Sequence, residues 1–494
     1  MRAMTEEAKT RQTNATLGLT TSACGICRAL VPAKVMTDGN DVCFRKFCPS
    51  HGEHESFVRR DLADYLRTLR YVKPAWQPAV FNGHRGAGCP DDCGFCEHHE
   101  QHLCMPLLEI TNRCNLACPC CLNSSGSTSG DSADLWEMTR DEFGSILGGL
   151  LRAERQIDVL TLSGGEPLLH PDLLVLLDDA LSRKEIVRVS ISTNGLGLLP
   201  DPRLLSELRA RDIVISLQMD GFNDKAYRTL RGRPLLGEKL EILARLKEAD
   251  ITTSLTMTAA AGVNDDQFPE MLKLLFGEKH IVSLMIQPMA FAGRGAEMAG
   301  KFPRLTIPEV VQRLGEAGHR GVNAEDFVPL PCSHPLCFSL AFYLAPAGGA
   351  PVSLNRLTNA ATMLDCLSNR VFFGLNADEH QKLKQLVYDL WSGPSALTPD
   401  SQAVLRSLRT ILRSISDAPD GAGFDPRKVF TAAERSVKSI FIHAFQDADT
   451  FDLSRVRRCC QAYPQRDGSL IPACVRNVLK PQHDGPELRR SEHG

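Results

Sequence analysis

From Leu107 to Pro288 the chain repeats one rhythm: a short β-branched apolar run, a polar turn, then apolar residues at helical spacing. The apolar runs are PLLEIT (106–111), IDVLTL (157–162), VRVSIST (187–193), IVISLQM (213–219), ITTSLTMT (251–258) and VSLMIQP (282–288). Helical patterns lie between them at 170–183, 204–211, 237–249 and 268–279, and a last helix is expected at 310–314. The helix after the first run opens at Thr139, which with Glu142 reads as a capping box. Six strand-then-helix units predict a parallel sheet with helical crossovers, either doubly wound and open or closed into a partial barrel. In both arrangements chemistry belongs on the loops at the C-terminal ends of the strands.

Those loops hold the unusual residues. After the first run comes Cys114-Asn-Leu-Ala-Cys118-Pro-Cys120-Cys121, a C-x3-C-x2-C pattern with Cys120 as a spare thiol. Three thiolates from one loop suit three irons of a cubane cluster and leave one corner open; a structural zinc loop is the plainer alternative. The later loops are Ser163-Gly-Gly-Glu-Pro167, Ser192-Thr-Asn-Gly195 and Gln218-Met-Asp-Gly221. Each alone reads as a tight turn. Together on one rim they describe a ligand site, in which Gly164 and Gly165 let a ligand come close to the backbone and either Glu166 or the freed backbone groups hold a ligand ammonium.

The chain holds 18 cysteines in 494 residues, in three groups around a cysteine-free stretch. Upstream, Cys24 and Cys27 with Cys48 read as a ribbon-type mononuclear site whose fourth ligand is Cys43 or His51. Cys89, Cys93, Cys96 and Cys104 repeat the C-x3-C-x2-C spacing with a fourth thiol, His98, His99 and His102 being substitutes, and read as a closed auxiliary cluster. Downstream, Cys332, Cys337, one of Cys459 and Cys460, and Cys474 are a second candidate, while Cys366 reads as a buried free thiol. The expected organisation is a disordered tail (1–20), a metal-binding region (21–104), the strand–helix domain (105–320), an α-rich region with an auxiliary cluster (321–480) and a disordered tail (481–494).

Composition changes little in this picture. A net charge of -3 and 43% hydrophobic residues exclude a disordered chain and a globally basic binder of nucleic acid backbone. The polar first 20 residues contain no apolar signal-peptide core, and no apolar run reaches the roughly 18 residues of a membrane span. A cytoplasmic protein is expected, with peripheral membrane contact at most. In that reducing compartment clustered cysteines read as metal ligands.

The segments CNLACPCC, SGGEP, STNG and LQMDG resemble those of the radical S-adenosylmethionine (SAM) superfamily across residues 105–290. The resemblance implies a partial (β/α)6 barrel and a 4Fe–4S cluster on Cys114, Cys118 and Cys121 whose open iron chelates SAM. It also implies reductive cleavage of SAM to a 5′-deoxyadenosyl radical, with an electron donor such as flavodoxin or ferredoxin. By motif position, Gly164, Gly165 and Glu166 would line the methionine moiety, and Ser192, Asn194 and Gln218 the ribose. The flanking cysteine segments resemble the narrower tetraether lipid synthase and cobalamin-independent pterin methylase subgroup, from Cys24 to Cys474. That implies one or two auxiliary 4Fe–4S clusters, mononuclear iron or zinc, and a small-molecule or lipid substrate. The expected reaction is C–C bond formation on an alkyl or lipid-like substrate; the alternative is methyl transfer to a pterin or similar heterocycle. A non-catalytic iron–sulfur or zinc protein for electron transfer or nucleic acid binding leaves the GGEP loop unexplained.

Overall fold

The computed structural model describes residues 15–73, 76–81, 86, 88–91, 96–126, 135–330, 333–345, 350–357, 388, 427, 434–435 and 437–480. Cys93, Cys332, Cys366 and the last 14 residues lie outside the described residues.

The N-terminal unit is a four-stranded antiparallel sheet of β1 (Thr16–Ala23), β2 (Leu30–Asp38), β3 (Asp41–Cys48) and β4 (Gly52–Arg59), followed by α1 (Leu62–Thr68). β1 begins at Thr16, so ordered structure starts inside the stretch expected as a tail. This sheet docks on the C-terminal segment. The ammonium of Lys46, fully buried, donates to the carbonyls of Ala23, Ala448 and Asp449 at 2.7–3.0 Å, and Ser56 Oγ donates to Asp449 O at 2.7 Å.

The six expected strands form as β5 (Met105–Thr111), β6 (Ile157–Gly164), β7 (Ile186–Thr193), β8 (Val214–Gln218), β9 (Thr253–Ala259) and β10 (Ile281–Pro288), all parallel and in sequential order. Their crossovers are α2 (Arg140–Glu154), α3 (Leu173–Leu181), α4 (Pro202–Ala210), α5 (Asp224–Arg231) with α6 (Leu236–Glu248), and α7 (Phe268–Gly277); α8 (Ile307–Glu316) follows β10. The capping box at α2 is present, with the Glu142 amide donating to Thr139 Oγ1 and the Thr139 amide to Glu142 Oε2. α5 is the element the periodicity does not predict. Its sequence, DKAYRTLR, is short and charged, and only its Asn223 N-cap and the left-handed Gly232 at its end announce it.

Alternation along each strand sorts the side chains. Leu160, Leu162, Ile191, Ile215, Leu255, Leu284 and Ile286 are fully buried in the main core cluster with α2 residues such as Phe143 and Leu147. The intervening positions face the lumen.

The C-terminal region departs from the α-rich expectation: its described part joins the sheet. β11 (Val328–Pro329), β12 (Phe338–Leu344), β13 (Val352–Ser353) and β14 (Val437–His443) build outward from β10, which β14 pairs in parallel. At the other edge β15 (Gln461–Pro464) pairs in parallel with β5, and β16 (Leu470–Pro472) completes a sheet of 12 strands. One downstream segment thus covers both edges of the six-stranded sheet, which would otherwise be open templates for pairing.

Candidate functional site

At the C-terminal ends of the strands the loops are knitted together by backbone. Gly165 N donates to Thr111 O at 2.8 Å and Glu166 N to Arg113 O at 2.7 Å, which presses the Gly-Gly turn onto the start of the cysteine loop. A Cβ at Gly165 would stand 2.7 Å from Asn112 O. The two glycines are therefore needed for contact between two loops of the chain itself, a closeness expected instead for a ligand.

The Glu166 carboxylate is fully buried and accepts from Thr193 Oγ1 (2.6 Å), Asn194 N (2.8 Å) and Leu168 N (3.1 Å). Burial raises its pKa, against these hydrogen bonds and the neighbouring Lys239. Its geometry is that of a residue that fixes the β7 loop. Asn194 reaches the cysteine loop, Nδ2 donating to Asn115 Oδ1 at 2.7 Å. Gln218 Nε2 donates to Asp220, and Gln218 Oε1 accepts from Lys239 Nζ.

Cys114, Cys118 and Cys121 line a cavity of about 430 Å³ together with Gly164, Gly165, Glu166, Ser192, Asn194 and Gln218. Every site residue expected around the three-cysteine loop is thus on one cavity wall. Burial pushes the Cys114 thiol up to about 12 and raises Cys118, which the Arg231 guanidinium draws back. Such thiols stay protonated at neutral pH until a metal takes them as thiolates. Cys120 also borders the cavity, but its buried thiol donates to Leu230 O at 3.2 Å.

Three residues of this site carry no motif. Arg294 clamps the cysteine loop, Nε donating to Cys118 O (2.9 Å), Nη1 to Gly126 O (3.1 Å) and the backbone amide to Cys121 O (3.0 Å). Gly293 before it has φ +56°, and a Cβ there would collide with the Cys121 and Leu122 carbonyls. Arg231, paired with Asp220 through two nitrogens, donates to Cys120 Sγ at 3.5 Å.

Residues 108–275 match the family model described as Radical SAM superfamily. The protein is a radical SAM enzyme. Its sheet is the partial (β/α)6 barrel of that type, with cysteine-rich extensions at both ends. The family's 4Fe–4S cluster and SAM fit the donors of this site: three thiols of one loop, with a cavity in front of them.

Residues 16–60 match the model described as HMPTM N-terminal zinc ribbon domain. A 7,8-dihydro-6-hydroxymethylpterin dimethyltransferase of Methanocaldococcus jannaschii is 25% identical, over 94% of this chain and 94% of that protein. The mycofactocin maturase MftC of Mycolicibacterium smegmatis is 30% identical over 41% of this chain and 49% of that protein. Among solved structures, Streptococcus suis SuiB bound to S-adenosylmethionine matches 44% of this chain and 46% of that chain at TM-score 0.35 and 16% identity.

In the radical SAM enzyme's ribbon, the turns after β1 and β3 bring Cys24, Cys27, Cys48 and His51 together, their ligand atoms all within 4.8 Å of one another. Cys27 Sγ and Cys48 Sγ are 3.8 Å apart, and His51 Nδ1 is 3.6 Å from Cys24 Sγ and 3.4 Å from Cys48 Sγ. Tetrahedral zinc with Zn–S of about 2.3 Å and Zn–N of about 2.05 Å requires edges of about 3.8 Å and about 3.6 Å. Cys24, despite burial, is drawn down to about 6 by the amides of Cys27 and Ile26 and the thiols of Cys27 and Cys48, as a metal thiolate requires. Cys43 is not in this group. It sits in the middle of β3 opposite Met36 and Phe57, five residues or roughly 16 Å along the strand from Cys48. Burial and the nearby Glu55 carboxylate push its thiol up to about 12.

The two other cysteine groups adjoin. Glu100 N donates to Arg457 O (2.7 Å), Met105 N to Cys460 O (3.2 Å), and the His99 ring to Cys459 O (2.8 Å). Cys104 is buried beside His102 Nε2 (3.4 Å), whose Nδ1 contacts Glu154 Oε2 (3.1 Å). Downstream, burial raises the thiols of Cys337, Cys459 and Cys474, and neighbouring thiols add to it: Cys474, Cys460 and Cys337 at Cys459, Cys337 at Cys474, and Cys460 at Cys337. The buried Arg455 donates to Cys337 Sγ at 3.3 Å and also faces Cys474.

No helix among the described residues is long and apolar enough to cross a membrane.

Proposed function

We propose that this radical SAM enzyme methylates a polar bicyclic heterocycle of the pterin class. The observation that carries the reading is the relative named as a dihydrohydroxymethylpterin dimethyltransferase, which aligns with this chain almost end to end. The lumen supports it. Thr161, Ser190, Ser216, Ser254 and Ser283 line the cavity and give it hydroxyls that a polar ring edge can hydrogen-bond and a hydrocarbon cannot.

Cys114, Cys118 and Cys121 hold the cluster in this reading, and that cluster supplies the one-electron reductive cleavage of SAM when bound. Arg294 fixes the loop carrying those thiols, while Glu166 fixes the β7 loop. Gly164 and Gly165 line the methionine, and Ser192, Asn194 and Gln218 the ribose. The buried barrel walls exclude water from the reacting carbon.

Cys24, Cys27, Cys48 and His51 hold a mononuclear zinc that staples the ribbon. Cys89, Cys93, Cys96 and Cys104 hold one auxiliary cluster, and Cys332, Cys337, Cys459 and Cys474 a second, both relaying electrons from a flavodoxin- or ferredoxin-type donor.

A second reading, C–C bond formation on an alkyl chain, is favoured by one observation: Leu330, Phe338, Phe342 and Phe441 give the same cavity an apolar wall. Anaerobic reaction with methyl-labelled SAM, reductant and 6-hydroxymethyl-7,8-dihydropterin separates the two by mass spectrometry. Label in the pterin is expected. Absence of label, with deuterium passing from an alkyl chain into 5′-deoxyadenosine, overturns methylation in favour of coupling.

A further inference from the structure

Within the lumen, five serines stand side by side on five adjacent strands. Strand register pairs Ser192 with Ser216, Ser216 with Ser254, Ser254 with Ser283, and Ser283 with Ser439. All five line the cavity. Three of the hydroxyls have partners on the wall: Ser283 Oγ donates to Ser254 Oγ at 2.5 Å, and Ser216 Oγ is 3.1 Å from Thr256 Oγ1. The row ends on an aromatic face, since Ser439 is in register with Phe342, whose ring meets Phe441 edge-on at 5.9 Å.

Two further groups on the cavity wall point independently to a ligand. Arg188, with 6% of its side chain exposed, donates through Nη1 to Asp212 and through Nη2 to Glu434, yet its Nε has no partner among the described residues. On the opposite side of the sheet order, Gln461 of β15 is 7% exposed and its Oε1 is likewise without a partner among the described residues. A buried donor and a buried acceptor left unpaired on residues that line one cavity are costly unless a polar guest satisfies them.

We infer that the part of this serine row beyond Ser192, with Gln461 and Arg188, is the substrate-recognition surface. It binds the edge of a flat heterocycle bearing both hydrogen-bond donors and acceptors, while Phe342 and Phe441 take its apolar remainder. The inference rests on the pterin-class reading above and deepens it by naming what reads the substrate. A site built from hydrogen-bonding groups rejects an isostere that lacks them far more strongly than an apolar pocket rejects a small change in size.

The test is equilibrium binding to the full-length, anaerobically purified protein, with 6-hydroxymethylpterin as probe and naphthalene as a flat bicyclic control without polar edges. Wild type should prefer the pterin. The paired Ser254→Ala and Ser283→Ala substitutions, and separately Gln461→Leu, should each weaken the pterin about tenfold. Naphthalene should be held as well as before or better, a split that general loosening of the barrel would not give. Ser439→Ala, on a different strand, provides an independent variant if one of these fails to fold. Wild type that ignores the pterin overturns this inference and the pterin reading together. Wild type that binds it while the folded variants bind equally overturns only the recognition surface, and shows that water alone satisfies the row.

Discussion

Lys239 Nζ donates to Gln218 Oε1 at 2.8 Å and, from the same buried position on α6, to Asn194 O at 2.6 Å. One ammonium thereby fastens the end of β8 to the end of β7, the two loops expected to flank the ribose of SAM. Removing it by Lys239→Met takes the donor from two part-buried acceptors, at roughly 1 kcal/mol each. The variant is expected to melt lower and to bind SAM more weakly; thermal denaturation and equilibrium dialysis check this.

Lys239 also predicts a pH dependence. Burial lowers its ammonium to about 7, with Asp220 and Glu166 opposing the fall and Arg231 adding to it. Between about 7 and the ordinary value of 10.5, the unfolded chain holds a proton that the native chain has released. Stability contributed at this site therefore rises with pH across that window and is flat below it. Chemical denaturation at pH 7 and pH 9 should show wild type gaining on Lys239→Met at the higher pH.

For the ribbon, the distances separate His51 from Cys43. His51→Ala, Cys24→Ala and Cys48→Ala should each lose the mononuclear metal, read as zinc or iron per chain. Cys43→Ala should keep it, at a cost of about 1 kcal/mol for a smaller side chain in a packed strand. Metal loss from Cys43→Ala would contradict the assignment.

In the cysteine loop, replacing Cys114, Cys118 and Cys121 together by alanine should abolish 5′-deoxyadenosine formation from SAM, while Cys120→Ala retains it. Gly293→Ala should behave like the triple variant, because its Cβ would drive into the carbonyls of Cys121 and Leu122 and displace the loop. Mass spectrometry of the nucleoside product and the visible absorbance of reconstituted protein read both effects.

Reconstituted wild type should bind more than the four irons of one cubane, with Cys337→Ala and Cys474→Ala each lowering the count. Four irons per wild-type chain would exclude both auxiliary clusters.

Much of this was legible in the residues. The six parallel strands and their helices follow from periodicity, and the thiols and Gly-Gly turn from spacing. What escaped is long-range or weakly patterned. α5 is too short and charged to register as an apolar stripe. β14 and β15 look like ordinary strands; that they seal β10 and β5 is a matter of topology alone. Lys239 and Arg294 sit in no motif, since a buried cation bonded to carbonyls has no sequence signature. The serine row did have one. Hydroxyls at alternate positions of β7, and serines recurring in β8, β9 and β10, mark a polar lumen wall that attention to helix spacing passes over.

The two seals on the barrel come from residues 437–443 and 461–464, far downstream of β10. During synthesis the six-stranded sheet must therefore wait, both flanks bare, until residues 437–464 have left the ribosome. Closure pairs β5 with a strand more than three hundred positions away, a slow contact to find. In that interval the cysteine loop after β5 is reachable by the machinery that delivers metal, and a chain released early would offer those naked flanks to its neighbours.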